Sequence, residues 1–413
     1  MSAARSVGYP ATVCVDLDAI AENATRMQEY AGDAALLAVV KADGYGMGRS
    51  KVAGYLWERG IRWFGTARIP EAAALRRALS EVGADPSDTR IMAWLNDPED
   101  GWELALNHQI DISVATKEQL RRLTETVKDR GYAPARVHVK VDTGMGRGGA
   151  TLEDLPALAD AISQSVADAS IKLVGIWSHL ALADDMSDYG KQFTQRQVDR
   201  FEEAIEVLRS RGLEPEVRHL AATSGALWHP ETRYDMVRIG IGLYGMSPNP
   251  EVATSAELGL RPAEALRSRL NQVKRVEPGA TVSYGATWVS PDHHWIGLVP
   301  LGYQDGVPRA LSNIGQIAVE APAGPTKVPI IGRVCMDQFV VDLGNGEEPL
   351  AQADAVVTLF GDPQRGEPSV DDWALEAGTI NYEISARIAH HLERVYTCAA
   401  CGSEADGFDE GTR

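Results

Sequence analysis

Cysteine is scarce in this sequence of 413 residues, which contains four: Cys14, Cys335, Cys398 and Cys401. Small secreted proteins that depend on disulfides need a denser set, so that class of protein is excluded. The last two cysteines form one CxxC pair, which without a second pair or two nearby histidines supplies only half of a zinc site. We therefore expect no metal, and we interpret the pair as part of an ordinary C-terminal tail.

Long apolar runs are also missing. No stretch approaches the roughly 18 to 20 apolar residues of a membrane-spanning helix, and the opening residues lack the apolar centre of a signal peptide. Basic residues are outnumbered, because 40 lysines and arginines face 58 aspartates and glutamates, for a formal net charge of -18. Phosphate backbones and anionic membranes repel such a chain. We expect a cytoplasmic protein that binds neither nucleic acid nor a membrane.

Apolar side chains are abundant enough for a large core. They make up 44% of the residues, and charged side chains make up 24%, which is typical of globular proteins. A chain of this length usually divides into more than one domain. We therefore expect one large domain and one smaller domain.

Eight short apolar runs rich in β-branched residues alternate with stretches of helical period, such as Lys117 to Lys128, Leu152 to Ser165 and Gln192 to Arg211. This alternation predicts the α/β class and an N-terminal (β/α)8 TIM barrel over residues 18–250. The predicted strands are Leu36 to Lys41, Trp63 to Ala67, Arg90 to Trp94, Asp111 to Val114, Val137 to Asp142, Leu173 to Ser178, Glu216 to Ala222 and Met236 to Ile241.

A C-terminal mainly-β domain is predicted over residues 251–398, because the helical period stops and Gly/Pro-punctuated strands begin. Residues 1–17 are expected to pair with this domain through a strand near Val13 to Asp18, and residues 399–413 to form a disordered acidic tail. The predicted strands are Gln272 to Val276, Trp295 to Val299, Lys327 to Ile331, Gln338 to Val341 and Ala355 to Phe360.

Lys41 ends the first apolar run of the predicted barrel. Burial there would lower the pKa of its amine and make it a nucleophile or a Schiff-base former. Taken alone, Lys41 is interpreted equally well as a lysine that extends along the barrel rim into solvent.

Polar residues follow several other predicted strands, and such residues gather at one mouth of a barrel. Arg147 and Arg238 supply two cations, and Ser224 with Gly240 and Ile241 occupies the position where barrels often bind phosphate. Each arginine alone could form a surface salt bridge, and Ser224 could cap a helix. Together these residues favour a bound anion.

The same segments resemble, in order and over nearly the whole chain, the motifs of the alanine racemase family. The resemblance is carried by Ala38-Val-Val-Lys-Ala-Asp-Gly-Tyr-Gly-Met-Gly48, Lys140-Val-Asp-Thr-Gly-Met-Gly-Arg147, Ser178-His179, Met236-Val-Arg-Ile-Gly240, Val282-Ser-Tyr-Gly285, Gly302-Tyr-Gln-Asp-Gly306, Gly332-Arg-Val-Cys-Met-Asp337 and Ile380-Asn-Tyr-Glu383. It implies a fold-type III pyridoxal-phosphate enzyme, a homodimer with shared active sites, that interconverts L- and D-alanine and supplies D-alanine for peptidoglycan.

The resemblance also implies roles for individual residues. Pyridoxal 5'-phosphate would be bound to Lys41, and Tyr284 of the other subunit would be the second base. A tyrosine base needs nearby cations, because its reference pKa is about 10, and His179 and Arg238 are the candidates. The cofactor-binding positions are Lys41, Tyr45, Arg147, His179, Ser224, Arg238, Gly240, Ile241 and Tyr382. The substrate positions are Arg147 and Met336, Lys140 matches a lysine that is carbamylated in many relatives, and the entry-channel positions are Asp184, Tyr303, Arg309 and Arg333.

Two residues depart from the family pattern. Met47 stands where relatives typically have a histidine, and Thr223 stands where they usually have an asparagine. These changes leave open a racemase that acts on serine or on an amino acid of specialised metabolism. A decarboxylase of the same fold type or a non-catalytic pyridoxal-phosphate carrier would also use a cofactor lysine, but the presence of Tyr284 disfavours both.

Overall fold

The computed structural model describes residues 11–95 and 101–399, which fall into two compact units. The barrel unit comprises residues 20–44 and 49–260, and the β unit comprises residues 11–19, 45–48 and 261–399. Cys401, most of the predicted tail and residues 1–10 lie outside the described residues. Within the described part, no cluster of His, Cys, Asp and Glu could hold a metal ion. None of its helices has the length and apolarity to cross a membrane.

Eight parallel strands form the core of the barrel unit, in the order β8-β7-β6-β5-β4-β3-β2-β9. An isolated bridge between Ala222 and Arg238 links the two ends of this order. Such strands are buried on both faces, which is why they read as continuous apolar runs. After β1 (Ala11–Asp16), which belongs to the β unit, the barrel strands are β2 (Ala35–Val39), β3 (Trp63–Arg68), β4 (Arg90–Leu95), β5 (Asp111–Val114), β6 (Ala135–Lys140), β7 (Ile171–Trp177), β8 (Val217–His219) and β9 (Met236–Ile239).

Helices separate the barrel strands. Lys117–Arg130 illustrates how they are delimited, because the Thr116 side chain accepts a hydrogen bond from the Gln119 N-H at 3.1 Å and Gly131 ends the helix at a φ of 66°. The helices are Leu17–Ala31, Arg49–Glu58, Ile69–Glu81, Trp102–Asn107, Lys117–Arg130, Leu155–Ala167, Asp188–Arg209 and Thr223–Trp228. The predicted TIM barrel is confirmed.

A nine-stranded sheet forms the core of the β unit, in the order β11-β14-β17-β16-β15-β18-β10-β1-β19. The N-terminal strand β1 pairs antiparallel with β10 and parallel with β19. The remaining strands are β10 (Glu264–Arg269), β11 (Gln272–Val276), β12 (Thr281–Val282), β13 (Trp288–Val289), β14 (His294–Val299), β15 (Gln316–Ala321), β16 (Gly324–Ile331), β17 (Phe339–Asp342), β18 (Val356–Phe360) and β19 (Glu393–Thr397). Two short helices, Val370–Ala377 and Asn381–Ala386, complete the unit, and the predicted mainly-β C-terminal domain is confirmed as a fold class.

Strand ends differ from the predictions at two places that matter for the site. The first barrel strand ends at Val39, so Lys41 lies just beyond it rather than within it. The seventh barrel strand stops at His219, three residues before the predicted end at Ala222. The barrel unit also continues to Leu260, whereas the boundary was predicted at residue 250.

Candidate active site

Lys41 lies at the C-terminal end of β2 and is half-buried. Burial lowers the pKa of its amine, and the positive charge of Arg147 lowers it further, while Glu71 acts in the opposite direction. A lysine with a lowered pKa has a larger neutral fraction, and the neutral amine is the form that attacks a carbonyl or accepts a proton.

The backbone after Lys41 makes a left-handed turn, with φ values of 51° at Ala42, 53° at Asp43 and 66° at Gly44. The Glu71 carboxylate accepts a hydrogen bond from the Ala42 N-H at 3.1 Å, and the Asp43 carboxylate accepts one from the Arg49 N-H at 3.0 Å. Such conformations cost about 1 to 3 kcal/mol for non-glycine residues and persist where the surroundings hold them. The turn therefore fixes the backbone from which the Lys41 side chain extends.

Arg238 lies on β9, and its guanidinium is buried, with 4% of the residue exposed. It donates hydrogen bonds to the carbonyl oxygens of Ser178 at 2.7 Å, His219 at 2.8 Å and Leu220 at 3.0 Å. It also lies 3.2 Å from the Nδ1 atom of His179. Burial lowers the pKa of Arg238 to about 9, which still leaves the group charged near neutral pH. The site therefore contains a buried cation held in one orientation.

His179 follows β7 and is nearly buried beside several cations. Burial lowers its pKa to about 3, with further lowering by the charges of Arg238, Arg147, Lys41 and Lys140. The imidazole is therefore neutral near neutral pH. His179 supplies no positive charge to a tyrosine base, contrary to the expectation from the sequence.

Lys140 ends β6, and its Nζ lies 4.8 Å from the centroid of the Trp177 ring. Burial lowers the pKa of Lys140, as do the charges of Arg147 and Arg238, while Asp142 raises it. A neutral amine is the form of lysine that reacts with carbon dioxide, so this environment is compatible with carbamylation. The modification itself stays a prediction.

Hydrogen-bond donors meet at the ends of β8 and β9. Ser224 lies in the first turn of the helix that starts at Thr223, and the Thr223 hydroxyl accepts a hydrogen bond from the Gly240 N-H at 3.3 Å. Ile241 begins a 3-10 turn directly after Gly240. Hydroxyl and backbone N-H groups at such a place are donors suited to phosphate oxygens.

Tyr45 and Tyr382, the other two predicted phosphate-binding residues, belong to the β unit. Their ring centroids lie 6.2 Å apart. Burial raises the pKa of Tyr45, and Tyr382 raises it further, so the phenol stays protonated. The Ser385 hydroxyl donates to the Tyr45 carbonyl oxygen at 2.9 Å, which anchors the Tyr45 backbone.

Tyr284, the predicted second base, lies in the turn Tyr284–Ala286 of the β unit and is 75% exposed. The preceding Ser283 donates a hydrogen bond to the carbonyl oxygen of Arg333 at 2.7 Å. A Cβ atom on Gly285 would lie 3.4 Å from Nε of Arg333. The β unit therefore brings Tyr284 and Arg333 together, with the phenol facing outward.

Met336 and Tyr303 are also exposed, by 51% and 44%. Their loops are joined, because the Tyr303 N-H donates to the Cys335 carbonyl oxygen at 3.0 Å. Arg309 is exposed on the same unit, whereas Asp184 belongs to the barrel unit. The entry channel formed by these residues stays a prediction.

Three buried polar residues beneath Arg238 were not predicted from the sequence. Asp111, His138 and His219 lie inside the barrel unit and are connected to one another. The available signal was an ionisable residue within each of three predicted barrel strands, where buried polar groups need partners.

The family model for the alanine racemase N-terminal domain matches residues 15–248, and the model for the C-terminal domain matches residues 263–396. The chain belongs to the alanine racemase family. An alanine racemase from Streptomyces coelicolor is 43% identical over 383 residues, covering 92% of this chain and 94% of the relative. One from Frankia casuarinae is 41% identical over 382 residues, covering 92% of this chain and 95% of the relative.

Solved structures of the family have the same fold. The alanine racemase of Streptomyces coelicolor A3(2) matches with a TM-score of 0.88 at 42% identity, covering 94% of this chain and 98% of that one. The alanine racemase of the D-cycloserine producer Streptomyces lavendulae matches with a TM-score of 0.88 at 39% identity, covering 95% and 98%.

Proposed function

We propose that this chain is an isomerase that interconverts L- and D-alanine, with pyridoxal 5'-phosphate bound at Lys41. In this proposal Lys41 and the partner subunit's Tyr284 exchange the α-proton from opposite sides of the substrate. The observation that carries the proposal is the set of groups around Lys41 in a chain of this family: a half-buried amine of lowered pKa, a buried arginine, and the helical turns that begin at Thr223 and Ile241.

The chemistry of these groups fits the cofactor. Pyridoxal phosphate combines an aldehyde, a dianionic phosphate and a pyridine nitrogen, and when bound it makes the α-proton of an amino acid acidic. A neutral amine suits the aldehyde, and the Ser224 hydroxyl and the Ile241 N-H suit the phosphate. Arg238 suits the pyridine nitrogen as a donor that does not give up its proton, because arginine stays charged in proteins.

Two proton-transferring groups are required for racemisation. A carbon that loses and regains its proton on the same side returns the starting enantiomer, so one base yields exchange without inversion. Lys41, with its lowered pKa, takes and returns the proton on one side. Tyr284 of the partner subunit acts on the other side.

The exposure of three β-unit residues supports the proposal of a homodimer. Tyr284, Tyr303 and Met336 are large side chains that a monomer would leave in water. A second copy of the chain that covers this surface would bring Tyr284 and the Met336 backbone N-H to the Lys41 of its partner. Isologous interfaces of this kind are the commonest in homo-oligomers.

Alanine is the favoured substrate over serine. Met47 is fully buried, so it packs in the interior of the β unit rather than facing a ligand. The Thr223 hydroxyl is engaged by the Gly240 N-H, which makes it part of the framework of the phosphate site. The two departures from the family pattern therefore have structural roles, and neither adds a group for a substrate hydroxyl.

Stereochemical assays in deuterium oxide test the proposal. The wild-type protein should convert both enantiomers of alanine and incorporate deuterium at the α-carbon. Tyr284→Phe should retain the visible absorbance of the cofactor and exchange deuterium into one enantiomer only, with racemisation reduced by about 100-fold or more. Lys41→Ala should lack the covalently bound cofactor.

Tyr303→Phe is the matched control, because it removes a phenol from the same surface without removing the proposed base. Full racemisation by Tyr284→Phe would exclude the two-base mechanism. Turnover of serine but not of alanine would identify serine as the substrate. Cofactor binding without turnover of any amino acid would favour a non-catalytic pyridoxal-phosphate carrier.

A further inference from the structure

A row of buried polar side chains crosses the interior of the barrel unit. Asp111, His138 and His219 are each 0% exposed, and Arg238 is 4% exposed. Asp111 is the first residue of β5, whereas His219 is the last residue of β8. The row therefore runs from the N-terminal ends of the barrel strands toward the C-terminal ends, where Lys41 lies.

Consecutive members of the row are within hydrogen-bond distance. An Arg238 amino group lies 3.2 Å from Nδ1 of His219, and Nε2 of His219 lies 3.0 Å from Nδ1 of His138. Nε2 of His138 lies 3.3 Å from a carboxylate oxygen of Asp111. Four side chains, from β9, β8, β6 and β5, thus form one continuous chain of hydrogen bonds.

The identity of its first member gives the chain a single direction. A guanidinium only donates, so Nδ1 of His219 must accept and the proton of that ring is on Nε2. Nδ1 of His138 then accepts from His219, and the His138 proton is on the nitrogen that faces Asp111. Both imidazoles are therefore neutral Nε2-H tautomers, and every hydrogen bond points from Arg238 toward Asp111.

Asp111 fixes the far end of the chain as an acceptor. Burial acts to raise its pKa, but the hydrogen bond from His138 and the positive charges of Arg136 and Arg90 outweigh burial and hold the pKa below its ordinary value. Arg90 and Arg136 contact its two oxygens at 2.5 Å each. The carboxylate is ionised and can only accept.

The barrel is shaped around the two rings. A Cβ atom on Gly175 of β7 would clash with Nδ1 of His138, so glycine provides the space for that ring. Trp177 lies parallel to His219, with ring centroids 5.8 Å apart and an interplanar angle of 6°. Its indole N-H donates to the Ser113 hydroxyl at 2.9 Å, which holds the indole in place.

We propose that Asp111 and His138 are positioning residues that hold His219 in the Nε2-H tautomer and thereby orient the Arg238 guanidinium toward the bound cofactor. The inference rests on the proposed function for the role of Arg238. If the hydrogen bonds ran in the opposite direction, the Nδ1-H of His219 would point at the N-H groups of Arg238. Two donors facing each other repel, and the guanidinium would leave the orientation that its three carbonyl partners define.

The tautomers can be measured directly. Long-range proton-nitrogen NMR spectra of the histidine-labelled holoenzyme distinguish a protonated ring nitrogen from an unprotonated one. We expect His138 and His219 to be neutral and protonated on Nε2. Protonation of either Nδ1 in the wild-type protein overturns the proposal without any variant.

Variants separate positioning from simple support of the fold. Asp111→Asn places an amide N-H at one of the two oxygen positions. His138 can change from donor to acceptor there, whereas the two arginines can only donate. The tautomers of His138 and His219 should therefore both switch. The expected kcat falls by about 10-fold or more with little change in KM for alanine, as for other residues that orient a primary ligand. Arg136→Gln is the matched control. It removes a positive charge beside Asp111 but leaves the chain of hydrogen bonds intact, so both histidines should keep their tautomers.

A second pair of variants covers a failure of Asp111→Asn to fold. In His138→Gln the amide offers one acceptor and one donor, as the neutral imidazole does, whereas His138→Leu offers neither. The proposal is supported if His138→Gln retains the wild-type kcat and cofactor absorption spectrum and His138→Leu loses them. An equal loss of kcat in both variants overturns it. Absence of alanine turnover in the wild-type protein would refute the proposed function and leave the tautomer result standing.

Discussion

Glu264 on β10 provides a quantitative prediction about the β unit. Burial raises the pKa of this carboxyl to about 7, against opposing contributions from the Ser385 hydrogen bond and the Arg394 charge. Its Oε2 lies 2.8 Å from the Ser385 hydroxyl, which lies 2.9 Å from the Tyr45 carbonyl oxygen. A hydroxyl carries one hydrogen, so both contacts are satisfied when Glu264 is protonated and donates to Ser385.

The sign of the effect on stability follows from proton linkage. Below the ordinary pKa of 4.5, Glu264 is protonated in both folded and unfolded chains and contributes nothing to pH dependence. Between that value and about 7 the unfolded chain releases the proton and the folded chain retains it, so stability falls as pH rises. At about 1.4 kcal/mol per pKa unit, the full loss above pH 7 is about 3 kcal/mol.

Glu264→Gln removes this titration and keeps an N-H donor for Ser385. In urea unfolding, the stability of the variant relative to wild type should rise by about 2.5 kcal/mol between about pH 5 and about pH 8, because other titrating groups cancel in the difference. Glu347→Gln, at an exposed glutamate, is the control and should follow the wild-type profile. A constant difference between Glu264→Gln and wild type across this range would refute a protonated Glu264.

Two further variants probe the site and its framework. Arg147→Gln removes a positive charge that lowers the pKa of Lys41, so reaction of the cofactor-free protein with pyridoxal 5'-phosphate, followed by absorbance, should shift to higher pH; an unchanged profile would exclude this influence. Gly46→Ala should destabilise the protein by about 1 to 3 kcal/mol in urea unfolding, because φ is 90° and the new Cβ would lie 2.8 Å from the Ser385 carbonyl oxygen. Gly60→Ala, with φ at 94° and open space around it, isolates the backbone cost, so equal losses would exclude the contact.

The barrel was predictable because its strands are buried on both faces. Each of the eight strands β2 to β9 overlaps a predicted apolar run, and β5 coincides with it at Asp111–Val114. The β unit was predicted less completely. The strands β12 and β13 have two residues each, and β10 and β19 contain no apolar run longer than two residues. Short or half-exposed strands are defined by their partners rather than by local pattern.

Residues at strand ends were predictable for the same reason, since a barrel directs such ends to one mouth. Lys41 and Arg238 were found in this way. Asp111 and His138 were not, because a polar residue within a strand does not indicate which partner on another strand will satisfy it. Tyr284 could be assigned only through the family resemblance, because its local sequence predicts no more than a turn.

Complementation between variants tests whether Tyr284 acts across subunits. In a heterodimer of Lys41→Ala and Tyr284→Phe chains, one site combines both substitutions and the other combines an intact Lys41 with the partner subunit's Tyr284. Random exchange of equal amounts makes half of the dimers mixed, and each has one intact site of two, so activity should return to about a quarter of the wild-type value. Each variant mixed with itself is the control. If Tyr284 served the Lys41 of its own chain, no site in the mixture would contain both residues, and activity would stay at the level of the separate variants.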